Sequence, residues 1–410
     1  MSIESKELLK MRSLSAISGG ALTNSKRPEC FVEGVYPTHL KRAKGCFVYD
    51  TENNQYIDFI CGLGTNLLGY AHNKLNLVTR DEIENGTLFS LGSELEVKAA
   101  EKLKDLFPFA DKIRFLMTGS EACNASIRIA RAHHGVSFKN NDRALVLTDG
   151  YHGWGDNFIG ILEPRYGIMP DSFFKPLKGN EHLIRIAAAV IIEPIITDIS
   201  DKRIEYLREL RRETSAHGTI LIFDEIITGF RFPKFSVSNY FEINPDILLL
   251  GKCIGGGHPL SAVCIAKSIG TNVDWFVSST WAGYTLAMRG LIETIDLLKN
   301  ELDIMSLWRS GMSFMSSFNE LMPERIKLEG YPTRGVFVAE NYFKSLFFQE
   351  CVKAGLLFGN SFFINFKHLD HFESILSLLK DITYRLEHEK IELEGKEIKS
   401  PLAQTLRNSK

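Results

Sequence analysis

The sequence predicts an α/β fold, with a mostly parallel central sheet between layers of helix and a smaller α+β domain at its C-terminal end. Two patterns lead to it. From about residue 95 to 300, short apolar runs alternate with longer stretches of helical periodicity. Strands and crossover helices of a parallel sheet read this way. Beyond about residue 300 the texture changes to helix, short strand, helix. A chain of 410 residues suits two domains at ~100–200 residues each. The expected division is an N-terminal segment, 1–60, packing with the small domain, then a large domain over 61–300 and a small domain over 301–410.

The elements follow in order. Gly45–Ile60 reads as two strands joined by a polar turn at Asn53-Asn54. Ile113–Met117, Ala144–Leu147, Ala188–Ile192, Thr219–Phe223 and Ile247–Leu250 read as buried strands. Ser120–Ala132 and Asp201–Ala216 carry helical periodicity between them. Gly335–Val338 and Phe362–Asn365 read as strands of the small domain. The polar stretch from Glu387 to Lys410 is expected to fray.

Bulk properties narrow the function. Apolar residues make up 44% and charged residues 24%, ordinary for a soluble globular chain. A net charge of −2 offers no basic excess for nucleic acid or an anionic membrane. No run reaches the ~18 apolar residues of a membrane span. Met1–Arg12 alternates charge with short apolar groups, unlike a secretory signal. The seven cysteines form no C-x-x-C pair, so neither a zinc site nor a disulfide framework is expected. A cytoplasmic location is expected, with no metal.

In a parallel sheet, ligands bind beyond the carboxyl ends of the strands. Thr118-Gly119-Ser120-Glu121 follows the first buried run, and Asp149-Gly150-Tyr151-His152-Gly153-Trp154 the second. Glu193-Pro194, Asp224-Glu225 and Gly251-Lys252 follow the other three, the last leading to Gly255-Gly256-Gly257. One edge thus receives a helix N-terminus, an aromatic residue, carboxylates and a lysine.

This set suits pyridoxal phosphate. The Gly119-Ser120 turn opens a helix, where free amides and the dipole favour a phosphate. Tyr151 can stack on a pyridine ring. Asp224 can pair with the protonated ring nitrogen and keep the ring an electron sink. Glu225 points to the opposite face, and Ile226 returns to the Asp224 face, where it can pack under the ring. Lys252, in an apolar setting, can form an imine with an aldehyde. Taken singly, each has a plainer reading. Ser120 is an N-cap, Tyr151 core or rim, Asp224 a loop cap, and Lys252 a solvated strand end. His152 reads as a structural histidine.

Other classes fit less well. TILIFDE at Thr219–Glu225 resembles the acidic strand of a P-loop ATPase, but Asp246 stands where the first glycine before Gly251-Lys252 should be, and Cys253 follows the lysine. Gly62-Leu63-Gly64 lacks the third glycine of a dinucleotide fingerprint, Leu67 taking its place. A non-catalytic relic of an enzyme fold is a remaining alternative, of little weight because lysine, aspartate, aromatic and phosphate cradle are all present.

At these residues the chain resembles the class III, fold-type I pyridoxal-phosphate aminotransferases, especially their glutamate-1-semialdehyde aminomutase-like branch. The matching stretches are Tyr36–Phe59, Thr118–Arg131 (TGSEACNASIRIAR), Tyr151–Trp154 (YHGW), Ile191–Pro194 (IIEP), Leu221–Arg231 (LIFDEIITGFR) and Pro245–Val263. The resemblance implies that Lys252 is the Schiff-base lysine and Asp224 the ring-nitrogen partner. Tyr151 then lies on the ring, and Gly119-Ser120 on the phosphate. It also implies a homodimer with shared active sites, in which Thr280, within Ser279–Gly283, reaches the phosphate of the partner's cofactor. The implied reaction moves an amino group from an amino-acid donor to a keto or aldehyde acceptor. The alternative is the intramolecular transfer of a glutamate-1-semialdehyde 2,1-aminomutase.

Three positions depart from the family. Tyr284-Thr285 replaces the usual Asn-Pro, and Ile227 stands where many members carry a glutamine. Around Phe362–His368 there is no arginine of the kind that binds an α-carboxylate. The cofactor assignment does not depend on these positions, but the choice of substrate does.

Overall fold

The computed structural model describes residues 6–137, 139–162, 167–169, 171–269, 275–322 and 324–399. The chain divides into two compact units, one formed by Asn73–Ile304 and one by Met1–His72 with Met305–Lys410.

The unit of Asn73–Ile304 is built on seven strands. Their order is Ala110–Leu116, Ser261–Ala266, Ile247–Leu250, Ile220–Asp224, Ala189–Ile192, Val146–Asp149 and Phe174–Pro176. Ser261–Ala266 runs antiparallel to both neighbours, and the remaining pairs are parallel. The five apolar runs of the sequence are all strands. Phe174–Pro176 and Ser261–Ala266 were not among them. The first is three residues long and ends in proline, and the second begins four residues after a run of three glycines, with a proline between.

Side-chain alternation decides the packing. Ile220, Ile222, Ile247, Leu249, Val263 and Ile265 share one face with Ala122, Cys123, Ile127 and Ile129 of the helix Gly119–His133. The intervening Leu221, Phe223, Leu248, Leu250, Ala262 and Cys264 are equally buried. Both faces are therefore covered, as continuous apolar strands require. Each buried Ile, Leu, Val or Phe side chain among them contributes about 1.5–3 kcal/mol by leaving water. The helix Asp201–His217 starts on the Ser200 side chain, which accepts from the Arg203 amide, and stops at left-handed Gly218.

The other unit carries two small sheets. Leu40–Lys44, Phe47–Asp50 and Gln55–Asp58 form antiparallel neighbours, and Leu356–Leu357 pairs in parallel with Gln55–Asp58. Ile326–Tyr331, Arg334–Ala339 and Ser361–Phe363 form the second sheet. Its core is aromatic: Phe59 lies 4.8 Å from Phe358 and 5.0 Å from Phe362, ring centre to ring centre.

The expected fraying of the C-terminal stretch is corrected for residues 387–399. Helix Phe372–His388 runs into it, and residues 389–399 lie along helix Asn341–Lys353. The Glu394 amide donates to Gln349 Oε1 (2.8 Å) and the Ile398 amide to Ser345 Oγ (3.0 Å), while Asn341 Nδ2 donates to the Ile398 carbonyl (3.0 Å). Asn341, Ser345 and Gln349 are spaced four apart, so one helix stripe supplies partners for the segment's backbone. The end of the chain, 400–410, lies outside the described residues. Among the described residues no helix is long and apolar enough to cross a membrane.

Candidate active site

The carboxyl ends of the parallel strands lie along one edge of the seven-stranded sheet, and the chemistry collects there. Helix Gly119–His133 begins at Thr118, whose hydroxyl accepts from the Glu121 amide (3.2 Å) while the Glu121 carboxylate accepts from the Thr118 amide (2.8 Å). This is a complete capping box. The plainer reading of Ser120 as the cap is thereby corrected, because Thr118 does the capping. The Gly119 and Ser120 amides have no intrahelical acceptor, and the Ser120 hydroxyl accepts from the Trp154 amide (3.3 Å). Gly153 brings that loop in: its φ is +97°, and a Cβ there would stand 2.3 Å from Ser120 Oγ.

Asp224 ends its strand buried at 5% exposure. Its Oδ2 accepts from His152 Nδ1 (2.8 Å) and from the Cys123 thiol (3.4 Å), and its Oδ1 from the Ile226 amide (3.1 Å). His152, read from the sequence as a structural histidine, is fully buried, and its ring sits on the Asp224 carboxylate. Cys123 went unnoticed in the sequence because nothing local distinguishes a thiol in the second helical turn. Burial first, and then the Asp224 charge, hold that thiol well above its ordinary pKa, so it stays protonated and can donate.

The ligand atoms of Cys123, His152 and Asp224 lie within 4.8 Å of one another, close enough for an ion to be considered. A metal binds the thiolate, and burial opposes that form here. The 2.8 Å separation of His152 from Asp224 is also that of a hydrogen-bonded pair. The cluster is read as a set of donors around a carboxylate.

Ile226 ties the pieces together. Its Cδ1 lies 2.8 Å from where a Cβ on Gly119 would stand, and its Cγ2 3.1 Å from one on Gly251. The next residue, Lys252, is held at φ +48°. For a non-glycine residue that costs of order 1 kcal/mol or more, and such strain gathers at functional sites. The Lys252 charge is felt by the Cys123 thiol, which places lysine and aspartate in one electrostatic neighbourhood. Tyr151 is oriented through its backbone: its amide donates to Oε1 of buried Glu193 (2.8 Å). The sequence marked Glu193 only as a strand-end carboxylate.

Thr280 stands apart from this group. It is exposed and lines a 540 Å³ groove with Leu88, Phe89, Glu96, Arg114 and Gly283.

The residues at the edge fit a phosphorylated pyridine aldehyde. Helix amides and a hydroxyl that capping does not use face the Trp154 loop, a buried carboxylate is held by donors, and a strained lysine follows the neighbouring strand.

Comparison with known proteins agrees. The profile of the family described as aminotransferase class-III matches residues 32–168 and 172–362. A glutamate-1-semialdehyde 2,1-aminomutase of Methanococcoides burtonii is 30% identical over 71% of this chain and 74% of its own length. The FumI protein of Sphingopyxis sp. MTA144, solved in a PLP internal aldimine form, superposes with a TM-score of 0.85 at 20% identity, covering 96% of this chain and 98% of that one. An omega-transaminase from Sphaerobacter thermophilus gives 0.78 at 21%, covering 92% and 98%. At such identities the two structures establish the shared fold. The chain belongs to the class III aminotransferases, a family of pyridoxal-phosphate-dependent enzymes.

Proposed function

We propose that this chain moves an amino group from an amino-acid donor to a keto or aldehyde acceptor, with Lys252 as the covalent anchor of the cofactor. The observation that carries the reading is the buried Asp224 carboxylate, held by three donors at the sheet edge that also carries Lys252 and the Gly119-Ser120 helix start. When bound, pyridoxal phosphate supplies an electron sink for negative charge at the substrate carbon. Asp224 would hold a proton on the ring nitrogen. The first helix amides and the Ser120 hydroxyl would take the phosphate. Tyr151 and Ile226 would pack against the ring. Lys252 would bind the aldehyde through its amine, and when free that amine would be the group that takes and returns a proton at the substrate carbon.

The working unit in this reading is a homodimer in which each Thr280 serves the partner's phosphate. Its support is the exposure of Thr280 beside Leu88, Phe89, Leu91 and Val97, an apolar surface that a second copy would cover.

Intramolecular transfer is the second reading, favoured by the relatives named glutamate-1-semialdehyde 2,1-aminomutase. Thr228-Gly229-Phe230-Arg231 and the absence of an arginine around Phe362–His368 lean the same way. Tyr284-Thr285 leans toward amination of a separate acceptor.

Borohydride reduction followed by peptide mapping should place the pyridoxyl label on Lys252, and a label elsewhere overturns the anchor. The donor question is answered by mixing the loaded enzyme with glutamate, alanine and other amines. Conversion to pyridoxamine phosphate with release of a free keto acid supports the transaminase. Turnover of glutamate-1-semialdehyde to 5-aminolevulinate without a second substrate replaces it with the mutase.

A further inference from the structure

The thiol of Cys123 is the unexpected member of the strand-end cluster. An ionised carboxylate offers about four acceptor positions, two on each oxygen. On Asp224, Oδ2 receives both the His152 ring N–H and the Cys123 S–H, and Oδ1 receives the Ile226 amide. Three positions are filled, and one remains on Oδ1. That is the number a single pyridine N–H requires. The three donors come from separate parts of the chain: the loop after Val146–Asp149, the second turn of helix Gly119–His133, and the residue two beyond Asp224. All three oppose rotation of the carboxylate about its last bond.

We propose that Cys123 is a positioning residue for the cofactor's ring nitrogen, acting through Asp224. Its donation has two effects. It stabilises the anionic carboxylate in a site where burial opposes charge. It also occupies the second acceptor position of Oδ2, so that the remaining basic position lies on Oδ1. With three acceptor positions already taken, a ring N–H would complete the set on Asp224 and be met at one fixed oxygen. Without the thiol, the His152 and Ile226 contacts would leave Oδ2 with a free position and the carboxylate held by two donors in place of three. Cys123 touches neither substrate nor reacting atoms in this account, and no thiol chemistry is involved. The S···O distance of 3.4 Å is that of a thiol donor, and burial, by raising the pKa of the thiol, keeps its proton in place.

The inference rests on the reading of Asp224 as the ring-nitrogen partner. Its test is pyridoxal-phosphate affinity, measured by reconstituting the apoenzyme, together with the absorbance spectrum of the bound cofactor. Cys123→Ala should weaken the cofactor by about 5- to 10-fold, somewhat under the range for a hydrogen bond to a charged group because a thiol is a weak donor, and should alter the balance of absorbance bands. Cys123→Ser, which restores a donor, should return affinity to within about 2-fold of the original. Cys123→Val, which fills the space without donating, should behave like alanine. In an Asp224→Asn background, Cys123→Ala should cost nothing further, since the two would act through one contact. A purely packing role would instead make valine the rescuing residue and leave the alanine effect undiminished in that background, and either result overturns the proposal. Equal affinities for the serine and alanine variants do the same. If the unsubstituted protein takes up no pyridoxal phosphate, the Asp224 reading and this one fall together. Normal uptake that Asp224→Asn does not affect removes the Asp224 reading first.

Discussion

Asp224 and Glu225 are neighbours at one strand end, face opposite sides of the sheet, and are both buried. Each carboxylate takes three donors. Those of Glu225 are the Val237 amide (2.7 Å), the Ser238 amide (2.9 Å) and the Thr228 hydroxyl (2.8 Å). They tie one turn to the start of the short helix Val237–Phe241, all within a dozen residues or so of chain. Two of the Asp224 donors are side chains, His152 and Cys123, brought from far along the sequence. A carboxylate held by nearby backbone amides organises the fold. One held by distant side chains has its charge and orientation set for another purpose. The same burial therefore carries different consequences on the two faces.

The sharpest way to break this comparison is a matched pair of substitutions. Asp224→Asn should lower turnover roughly 10²- to 10⁴-fold, because removing one partner of a buried ion pair costs about 3–5 kcal/mol. Thermal unfolding of the apoenzyme should move little by comparison. Glu225→Ala should do the reverse. Three orphaned donors, at about 1 kcal/mol or more each, should lower the unfolding free energy by about 2–4 kcal/mol in denaturant titration, with turnover per folded molecule largely kept. If Asp224→Asn unfolds the protein, or Glu225→Ala abolishes turnover in a folded one, the division of roles fails.

The second test uses pH. Burial raises the Glu225 carboxyl to about 7, against the lowering pull of the Ser238 and Val237 amides. The folded protein therefore binds more protons than the unfolded chain between the ordinary carboxylate range and pH 7. Stability from this group is complete below that range and is lost as pH rises to 7, by up to about 3 kcal/mol. Glu225→Gln should flatten this slope in apoenzyme unfolding curves between pH 5 and 8. A slope that the substitution leaves unchanged assigns the effect to other groups, among them Asp58, whose carboxyl burial raises to about 6.

Smaller effects sharpen the Asp224 side. His152→Ala should weaken pyridoxal phosphate by about 10- to 100-fold, as the loss of a strong donor to a charged group. Glu193→Ala should weaken it by about tenfold, by freeing the Tyr151 amide, while Glu193→Gln, which can still accept, should stay within about 3-fold. Equilibrium dialysis of the cofactor reads both. An unchanged affinity in Glu193→Ala would detach Tyr151 from the ring.

Much of this molecule is legible from local sequence. The buried strands announce themselves as runs of Ile, Leu and Val, because a strand covered on both faces has no polar side to show. Asp224 and Lys252 stand out because each is a charge following such a run, and a parallel sheet brings those ends to one edge. Phe174–Pro176 and Ser261–Ala266 escaped notice for the same local reason: a short strand and a strand beside glycines carry little periodic signal.

By itself the sequence determined the fold class, five of the seven strands of the large sheet and the strand-end positions of the lysine and aspartate, because all of these follow from alternation and from what comes next in the chain. Tertiary structure alone decided who holds the aspartate. His152, Cys123 and Asp224 meet because three segments of different sequence position end within hydrogen-bond reach. It likewise decided that Thr118, not Ser120, caps the helix, and that residues 389–399 stay bound to a neighbouring helix through Ser345 and Gln349. Hydrogen bonds depend on distances of tenths of an ångström between distant residues, and the order of residues along a chain does not contain those distances until the core has packed.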